Sequence, residues 1–154
     1  MKTKLLGVFA AAALLAACES TPDQSAAGAG QATGPRPGSQ EDLVVNVGDR
    51  VFFDFDRYDV RADGRPTLQR QAEWLQRYNT VNVQVAGHTD ERGTREYNLA
   101  LGQRRANAAR DFLVAQGVSG ARVSTISFGK DRPIALGSNE EAWAQNRVAI
   151  TSVR

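Results

Sequence analysis

Cysteine and histidine are scarce in this 154-residue sequence, which has one of each, Cys18 and His88. A structural zinc site takes about four nitrogen or sulfur ligands, and a catalytic zinc site takes about three protein ligands. The sequence also lacks the Gly-x-Ser-x-Gly motif that carries the nucleophile in many hydrolases. These absences argue against a zinc enzyme and against a serine hydrolase of that class. Because a single thiol cannot form a disulfide within the chain, any folded domain must be held by its own core.

Other patterns for catalysis or metal binding are also missing. His88 stands two residues before Asp90, but no nucleophile accompanies the pair, so we predict that His88 packs and hydrogen-bonds at a strand end. One group of aspartates lacks the spacing of an EF-hand calcium loop: Asp54, Asp56, Asp59 and Asp63. We therefore predict no catalytic residue, no metal ion and no cofactor.

Long hydrophobic runs are absent apart from one near the N-terminus, Leu5 to Ala17, which follows two lysines. A bilayer-spanning helix takes about 20 apolar residues, whereas this run has the length of the apolar region of a secretory signal peptide. It ends in Leu15-Ala16-Ala17-Cys18, which resembles the lipobox of bacterial lipoproteins, whose cysteine is lipidated and becomes the mature N-terminus. We predict that residues 1–17 are a lipoprotein signal peptide and that Cys18 is lipidated. Glu19, where an aspartate would signal inner-membrane retention, favours the outer membrane by the same resemblance.

The net charge gives no indication of nucleic-acid binding. The formal charge of +2 comes from 19 basic and 17 acidic residues, and removal of residues 1–17 takes away Lys2 and Lys4. The mature protein is then neutral. Since sequence-independent binding to nucleic acid depends on a basic surface, we predict no nucleic-acid partner.

Residues 19–42 contain no leucine, isoleucine, valine or aromatic residue. Such a composition cannot bury enough apolar surface to order itself, so we predict that residues 18–42 are the lipidated cysteine and a flexible linker. The remainder, residues 43–154, has the usual size of one domain, and we expect it to be monomeric.

Hydrophobic periodicity in residues 43–154 predicts strands that alternate with helices. The predicted strands are Val51–Phe55, Val81–Val85, Val123–Phe128 and Val148–Val153, with Leu43–Val45 as an edge strand. The predicted helices are Leu68–Tyr78, Arg95–Gln116 and a short helix opened by a capping box at Ser138–Glu141. This order predicts an α/β fold with a helix-covered sheet that is at least partly parallel.

The long helix has a charged residue within its apolar stripe. The stripe is predicted from spacings of three and four: Asn98, Leu101, Arg105, Ala108, Phe112 and Ala115. An uncompensated buried charge is costly, so an anion should meet Arg105. Periodicity leaves two alternatives open, an internal ion pair with Asp90 or Asp56, or a ligand.

The positions of Asp56 and Asp90 favour the ligand. Each follows a predicted strand, and ligands of sheets with parallel strands collect beyond the carboxyl ends of those strands. A carboxylate near a guanidinium is complementary to a zwitterion, with Arg105 holding the ligand carboxylate and Asp90 the ammonium. We therefore expect the ligand to be the end of an amino acid.

The sequence resembles the peptidoglycan-binding domain of OmpA-like proteins over essentially all of residues 43–154. The resemblance is carried by the following segments: Phe53–Asp59, Gly87-His88-Thr89-Asp90, Gly93, Tyr97-Asn98, Leu101, Arg104–Ala108, Phe128-Gly129-Lys130 and Pro133. It implies a β-α-β-α-β sandwich, with a mixed sheet of about four strands, two long helices packed on it and a short third helix.

The resemblance also implies a ligand and its contacts. The ligand is the meso-diaminopimelate side chain of peptidoglycan, bound non-covalently, with Asp90 and Arg105 as the principal pair. The implied wall is formed by Leu101 and Asn98 on one side and by Phe55 and Asp56 on the other. Family members often have a second arginine after the Asn-Arg at Asn146-Arg147, whereas this sequence has Val148, so Arg147 is implied only as a weaker contact.

With the lipobox, the resemblance narrows to the lipid-anchored members of the family. It implies a protein that tethers the outer membrane to the cell wall from the periplasmic side, as part of the Tol-Pal system in envelope integrity and cell division. The implied partners are peptidoglycan, the outer membrane through the anchor, TolB and other Tol proteins. The alternative from another class is a periplasmic enzyme that acts on peptidoglycan, which the missing nucleophile and metal ligands disfavour.

Overall fold

The computed structural model describes residues 34–154. The predicted signal peptide, the lipidation site Cys18 and the first part of the predicted linker lie outside these residues. None of the helices between residues 34 and 154 is both long enough and apolar enough to cross a membrane.

A four-stranded mixed sheet forms the centre of the fold. Its strands are β1 (Arg50–Phe52), β2 (Val83–His88), β3 (Val123–Gly129) and β4 (Val148–Val153), in the spatial order β1-β4-β2-β3. β2 pairs with β3 in parallel, and β4 pairs antiparallel with both β1 and β2. The predicted mixed sheet of about four strands is confirmed. Because β1, β2 and β3 run in one direction, their carboxyl ends lie at the same edge of the sheet.

The predicted helices are present, with small changes at their ends. They are α2 (Arg65–Arg77), α3 (Arg95–Ala115) and the short α4 (Glu140–Asn146). Thr94 caps α3 by accepting a hydrogen bond from the Tyr97 amide. The cap of α4 is Asn139, which accepts from the Ala142 amide, and not Ser138 as the capping-box prediction required.

The segment before β1 differs from the prediction. Gln40–Asp42 form a short helix, α1, and Leu43–Val47 continue it as a π-helical turn, so the predicted edge strand Leu43–Val45 is wrong. Leu43 and Val47, four residues apart, are buried in the core, whereas Val45 between them is 64% exposed. This helical burial pattern outweighs the strand preference of the valines.

The linker is also shorter than predicted at its C-terminal end. Asp42 is buried and accepts hydrogen bonds from the Gly38 amide, the Asn46 side chain and the Trp74 indole. These bonds fix the segment 38–42 against α2, so the predicted linker boundary at residue 42 is wrong. A single buried carboxylate orders a segment whose composition is that of a linker.

Two glycines let α3 approach the sheet closely. A Cβ atom on Gly87 of β2 would lie 1.8 Å from the carbonyl oxygen of Gly102 on α3. A Cβ atom on Gly102 would lie 2.4 Å from the Ser127 hydroxyl on β3. Side chains larger than hydrogen would push the helix outward, so this contact sets the distance between α3 and the end of β2.

The apolar stripe of α3 follows the prediction in its first half only. Asn98, Leu101 and Arg105 are buried, but the buried residues farther along are Ala106, Ala109 and Leu113. The predicted stripe residues Ala108 and Phe112 are half-buried, and Ala115 is exposed. After Arg105 the buried face of α3 is therefore displaced by one residue from the predicted stripe. There the helix packs on the hydrophobic core through Ala106, Ala109 and Leu113.

Candidate functional site

A cavity of about 200 Å³ lies where the loops after β1 and β2 meet the N-terminal turns of α3. All six residues predicted to bind a ligand line it, together with four that were not predicted. The lining residues are Phe55, Asp56, Thr89, Asp90, Arg92, Gly93, Tyr97, Asn98, Leu101 and Arg105. The predicted location at the carboxyl ends of the parallel strands therefore matches the position of this cavity.

Arg105 lies at the inner wall of the cavity and is 1% exposed. Its Nε donates to the carbonyl of Arg57 at 2.8 Å, its Nη1 to the carbonyl of His88 at 2.9 Å and its Nη2 to the carbonyl of Asp54 at 3.0 Å. These bonds tie both strand-end loops to α3. A guanidinium has five N–H donors, so donors remain for a ligand.

The charge of Arg105 has no carboxylate partner within residues 34–154. Asp90 pairs with Arg92 and Arg147 instead, and Asp56 accepts a hydrogen bond from Tyr97, so neither forms the internal ion pair with Arg105 that was one of the two alternatives. Burial lowers the pKa of Arg105 to about 10, while the nearby charge of Asp90 acts in the opposite direction. Arg105 therefore stays charged at neutral pH and faces the cavity without an anionic partner.

Asp90 is 4% exposed and is held by two arginines. Nη2 of Arg92 lies 2.7 Å from one carboxylate oxygen, and the Arg92 amide and Nε each lie 3.2 Å from the other. Burial alone would raise the pKa of Asp90, but the hydrogen bonds from Arg92 and Arg147 outweigh it and hold this pKa below its ordinary value. Asp90 is therefore an anion at neutral pH.

Arg92 forms part of the cavity wall and lies against two aromatic rings, of which Phe55 also lines the cavity and Trp143 does not. Its guanidinium carbon lies 3.9 Å from the ring centre of Phe55 and 4.2 Å from that of Trp143. The Trp143 indole in turn donates to Glu91 at 3.0 Å. Cation–π contacts of this kind hold the arginine in place while leaving it 32% exposed. Arg92 thus links the loop after β2 to α4.

Asp56 forms the opposite side of the cavity. It is exposed, and its carboxylate accepts a hydrogen bond from the Tyr97 hydroxyl. Its backbone φ of 55° lies in the left-handed region, which is unusual for a residue other than glycine and is a feature of many functional sites. The chain turns sharply here and aims the carboxylate of Asp56 toward α3.

Asn98 and Leu101 line the wall formed by α3. The Nδ2 atom of Asn98 donates to the carbonyls of Arg92 and Thr94, which leaves its Oδ1 as the acceptor available to a ligand. Leu101 is 4% exposed and supplies apolar surface, as does the ring of Phe55, which is 57% exposed. The cavity thus combines charged groups of both signs with an apolar wall.

Thr89 is a lining residue that the sequence reasoning missed. It is 2% exposed, and its hydroxyl is the one buried side-chain polar atom within residues 34–154 that lacks a hydrogen-bond partner. A buried hydroxyl without a partner is uncommon because it is costly. The signal in the sequence was weak, since a threonine at a strand end is ordinary.

His88 and Arg147 support the site from behind. Nδ1 of His88 donates to the carbonyl of Arg132 at 2.9 Å, and burial lowers the pKa of His88, so the ring is neutral at pH 7. The predicted packing role of His88 at the strand end is confirmed. Arg147 does not line the cavity: it bonds the carbonyl of Phe53 and pairs with Glu140 and Asp90. In this structure Arg147 holds Asp90, and the weaker ligand contact that the resemblance implied stays a prediction.

The aspartates near β1 are engaged with arginines. Asp59 pairs with Arg57, and Asp54 and Asp63 both pair with Arg61. Across residues 34–154, no group of three or more histidine, cysteine, aspartate or glutamate side chains is placed to hold a metal ion.

Comparison with known proteins gives the family. The model of the OmpA family matches residues 52–147, which include every residue that lines the cavity. This chain belongs to the OmpA family. The chain is 60% identical over 124 residues to a peptidoglycan-associated lipoprotein of Agrobacterium fabrum, and the aligned region covers 80% of this chain and 68% of that protein. It is 42% identical over 148 residues to the protein of the same name from Pasteurella multocida, and this aligned region covers 96% of this chain and 95% of that protein.

Solved structures agree with this OmpA-family fold. The crystal structure of the peptidoglycan-associated lipoprotein from Burkholderia pseudomallei is 42% identical, with a TM-score of 0.69 over 73% of this chain and 100% of that chain. The C-terminal domain of Helicobacter pylori MotB has a TM-score of 0.64 at 23% identity, over 69% of this chain and 84% of that one. At that identity the second likeness shows the fold alone. The family and fold implied by the sequence resemblance are confirmed.

Proposed function

We propose that this protein binds peptidoglycan non-covalently and holds it to the outer membrane through a lipid on Cys18. The proposal rests on one observation above the others: the buried guanidinium of Arg105 reaches a small cavity beside the carboxylate of Asp90 and has no anionic partner of its own. The names of the relatives, peptidoglycan-associated lipoprotein, support the same ligand.

The proposed ligand is the free end of meso-diaminopimelate, which carries an ammonium and a carboxylate on one carbon. Its carboxylate would take the remaining donors of Arg105. Its ammonium would lie between Asp90 and Asp56, and its methylene chain would pack on Leu101. The ammonium needs both carboxylates, because the negative charge of Asp90 is already compensated by Arg92 and Arg147.

The size of the cavity supports an amino-acid end and not a larger part of the polymer. Pockets for drug-sized ligands measure roughly 300 to 1,000 Å³, whereas this cavity measures about 200 Å³. Only an end group would enter it, and the rest of the peptidoglycan would stay outside. This is what a tether requires, since the cell wall is bound without being cut.

The enzymatic alternative is less well supported by these side chains. The low pKa of Asp90 leaves it no proton to donate near neutral pH, and the Nδ1 proton of His88 is engaged with a backbone carbonyl. Arg105 and Asp90 would therefore bind charge and not transfer protons.

The sequence resemblance extends the proposal to TolB and other Tol proteins in the periplasm. Exposed aromatic side chains around the cavity support a protein interface there, since such residues are enriched in interfaces: Phe55 is 57%, Tyr58 47% and Tyr97 45% exposed. A partner at this surface would compete with peptidoglycan.

Co-sedimentation with peptidoglycan sacculi tests the proposal. The purified protein should pellet with sacculi and release no soluble fragments, and Asp90→Asn should pellet far less. Tyr78→Phe, directly after α2 and away from the cavity, is the control and should pellet like the wild type. Soluble muropeptides in the supernatant would establish the enzyme instead, and failure of the wild type to pellet would refute the binding.

A further inference from the structure

Thr89 forms part of the cavity wall, and nothing in the ligand-free protein accounts for its hydroxyl. Thr89 directly precedes Asp90 and lines the cavity, yet its Oγ1 is buried and without a partner. Loss of a hydrogen bond by a buried polar group costs about 1 to 3 kcal/mol. A valine would fill nearly the same volume without that cost, so the hydroxyl is expected to find its partner in another state of the protein.

The position of Thr89 indicates what that partner is. The carbonyl of His88, joined to Thr89 by one peptide bond, accepts the hydrogen bond from Nη1 of Arg105 at 2.9 Å. The backbone of Thr89 is fixed as well, because its amide donates to the carbonyl of Gly129 at 2.9 Å. Thr89 therefore follows directly the carbonyl that the unpaired guanidinium of Arg105 binds, and the two residues line the same cavity. A hydroxyl beside a cation is suited to donate to the anion that the cation binds.

We propose that the Thr89 hydroxyl donates a hydrogen bond to the same ligand carboxylate that Arg105 binds. This inference rests on the proposed function and adds a residue that selects for a carboxylate at the end of the ligand. The hydroxyl is shielded from water in the ligand-free protein, so the contact forms by rotation about the Cα–Cβ bond into another staggered position. The ligand thus satisfies two groups at once, the unpaired charge and the unpaired hydroxyl.

Two substitutions of Thr89 separate a ligand contact from a structural role. Thr89→Val removes the hydroxyl and nearly keeps the volume, whereas Thr89→Ser keeps the hydroxyl and removes a methyl group. Affinity is measured by calorimetry with a peptidoglycan stem peptide that carries meso-diaminopimelate. Thr89→Val should weaken binding about tenfold or more, the usual effect of losing a hydrogen bond to a charged group. Thr89→Ser should stay within about threefold of the wild type, because it keeps that donor.

Stability supplies the second readout. Urea unfolding of Thr89→Val should show a midpoint equal to or above that of the wild type, because no native hydrogen bond is lost. Wild-type affinity in Thr89→Val would overturn the inference, and so would a lowered unfolding midpoint, which would mean that the hydroxyl has a partner in the ligand-free protein. If the wild type itself failed to bind the peptide, the proposed function would fall and this inference with it.

Discussion

Arg105 should contribute to the stability of the domain as well as to ligand binding, and the free energy of unfolding of Arg105→Ala tests the first contribution. The substitution leaves three carbonyl groups, on Asp54, Arg57 and His88, without their donor. The bond to His88 is buried, and its loss costs about 1 to 3 kcal/mol, whereas loss of each of the two part-buried bonds costs about 0.5 to 1.5 kcal/mol. The expected loss is therefore about 2 to 6 kcal/mol, which is a large part of the stability of a typical domain, about 5 to 15 kcal/mol.

The neighbouring arginine provides a matched control. Arg104 is exposed, and its guanidinium carbon lies 5.4 Å from the ring centre of Tyr58 and 5.9 Å from that of Tyr97. Exposed cation–π contacts contribute about 0.5 to 1 kcal/mol, so Arg104→Ala should cost no more than about 1 kcal/mol. Urea unfolding followed by circular dichroism measures both. Equal, small losses in the two variants would refute the reasoning that Arg105 joins the loops to α3.

Three further changes give distinct results. Asp90 has a folded-state pKa below its unfolded value, so its contribution to stability is present above about pH 4 and is lost as the pH falls through the folded-state pKa. Asp90→Asn should cost about 2 to 3 kcal/mol at pH 7, and its unfolding free energy should fall less than that of the wild type between pH 7 and pH 3; parallel curves would contradict this. Gly102→Ala places a Cβ 2.4 Å from the Ser127 hydroxyl, so it should destabilise the domain by about 1 to 3 kcal/mol and weaken ligand binding. Gly120→Ala is the control, because its Cβ would lie 3.2 Å from the end of the flexible Arg110 side chain and in ordinary contact with Val114. Cys18→Ser should prevent incorporation of radioactive palmitate in cells, and a labelled variant would show that the lipidation prediction is wrong.

The sequence located the cavity because two patterns converged on it. The spacing of Asn98, Leu101 and Arg105 defines one helix face, and Asp56 and Asp90 follow strands whose direction the α/β order predicts. These patterns depend on backbone periodicity, which a sequence reveals well. The family resemblance supplied Phe55, and the cavity contains it too.

The partners of these residues could not be predicted in the same way. Arg105 is held by backbone carbonyls, and every residue carries one, so no pattern of side chains reveals which are used. The pairing of Arg92 with Asp90 depends on the conformation of a loop, where periodicity gives no information. The run Leu43–Val45 indicated a strand, but the buried Asp42 and its bond to Trp74 favour a helical turn.

The central claim is that the cavity recognises an ammonium and a carboxylate on the same carbon. The most direct test is calorimetric titration of the purified protein with two stem peptides that differ only in carrying meso-diaminopimelate or L-lysine. The lysine side chain keeps the terminal ammonium and lacks the carboxylate that Arg105 and Thr89 would bind. We predict that the lysine peptide binds at least about tenfold more weakly, since it loses hydrogen bonds to a charged group. Equal affinity for the two peptides would contradict the claim.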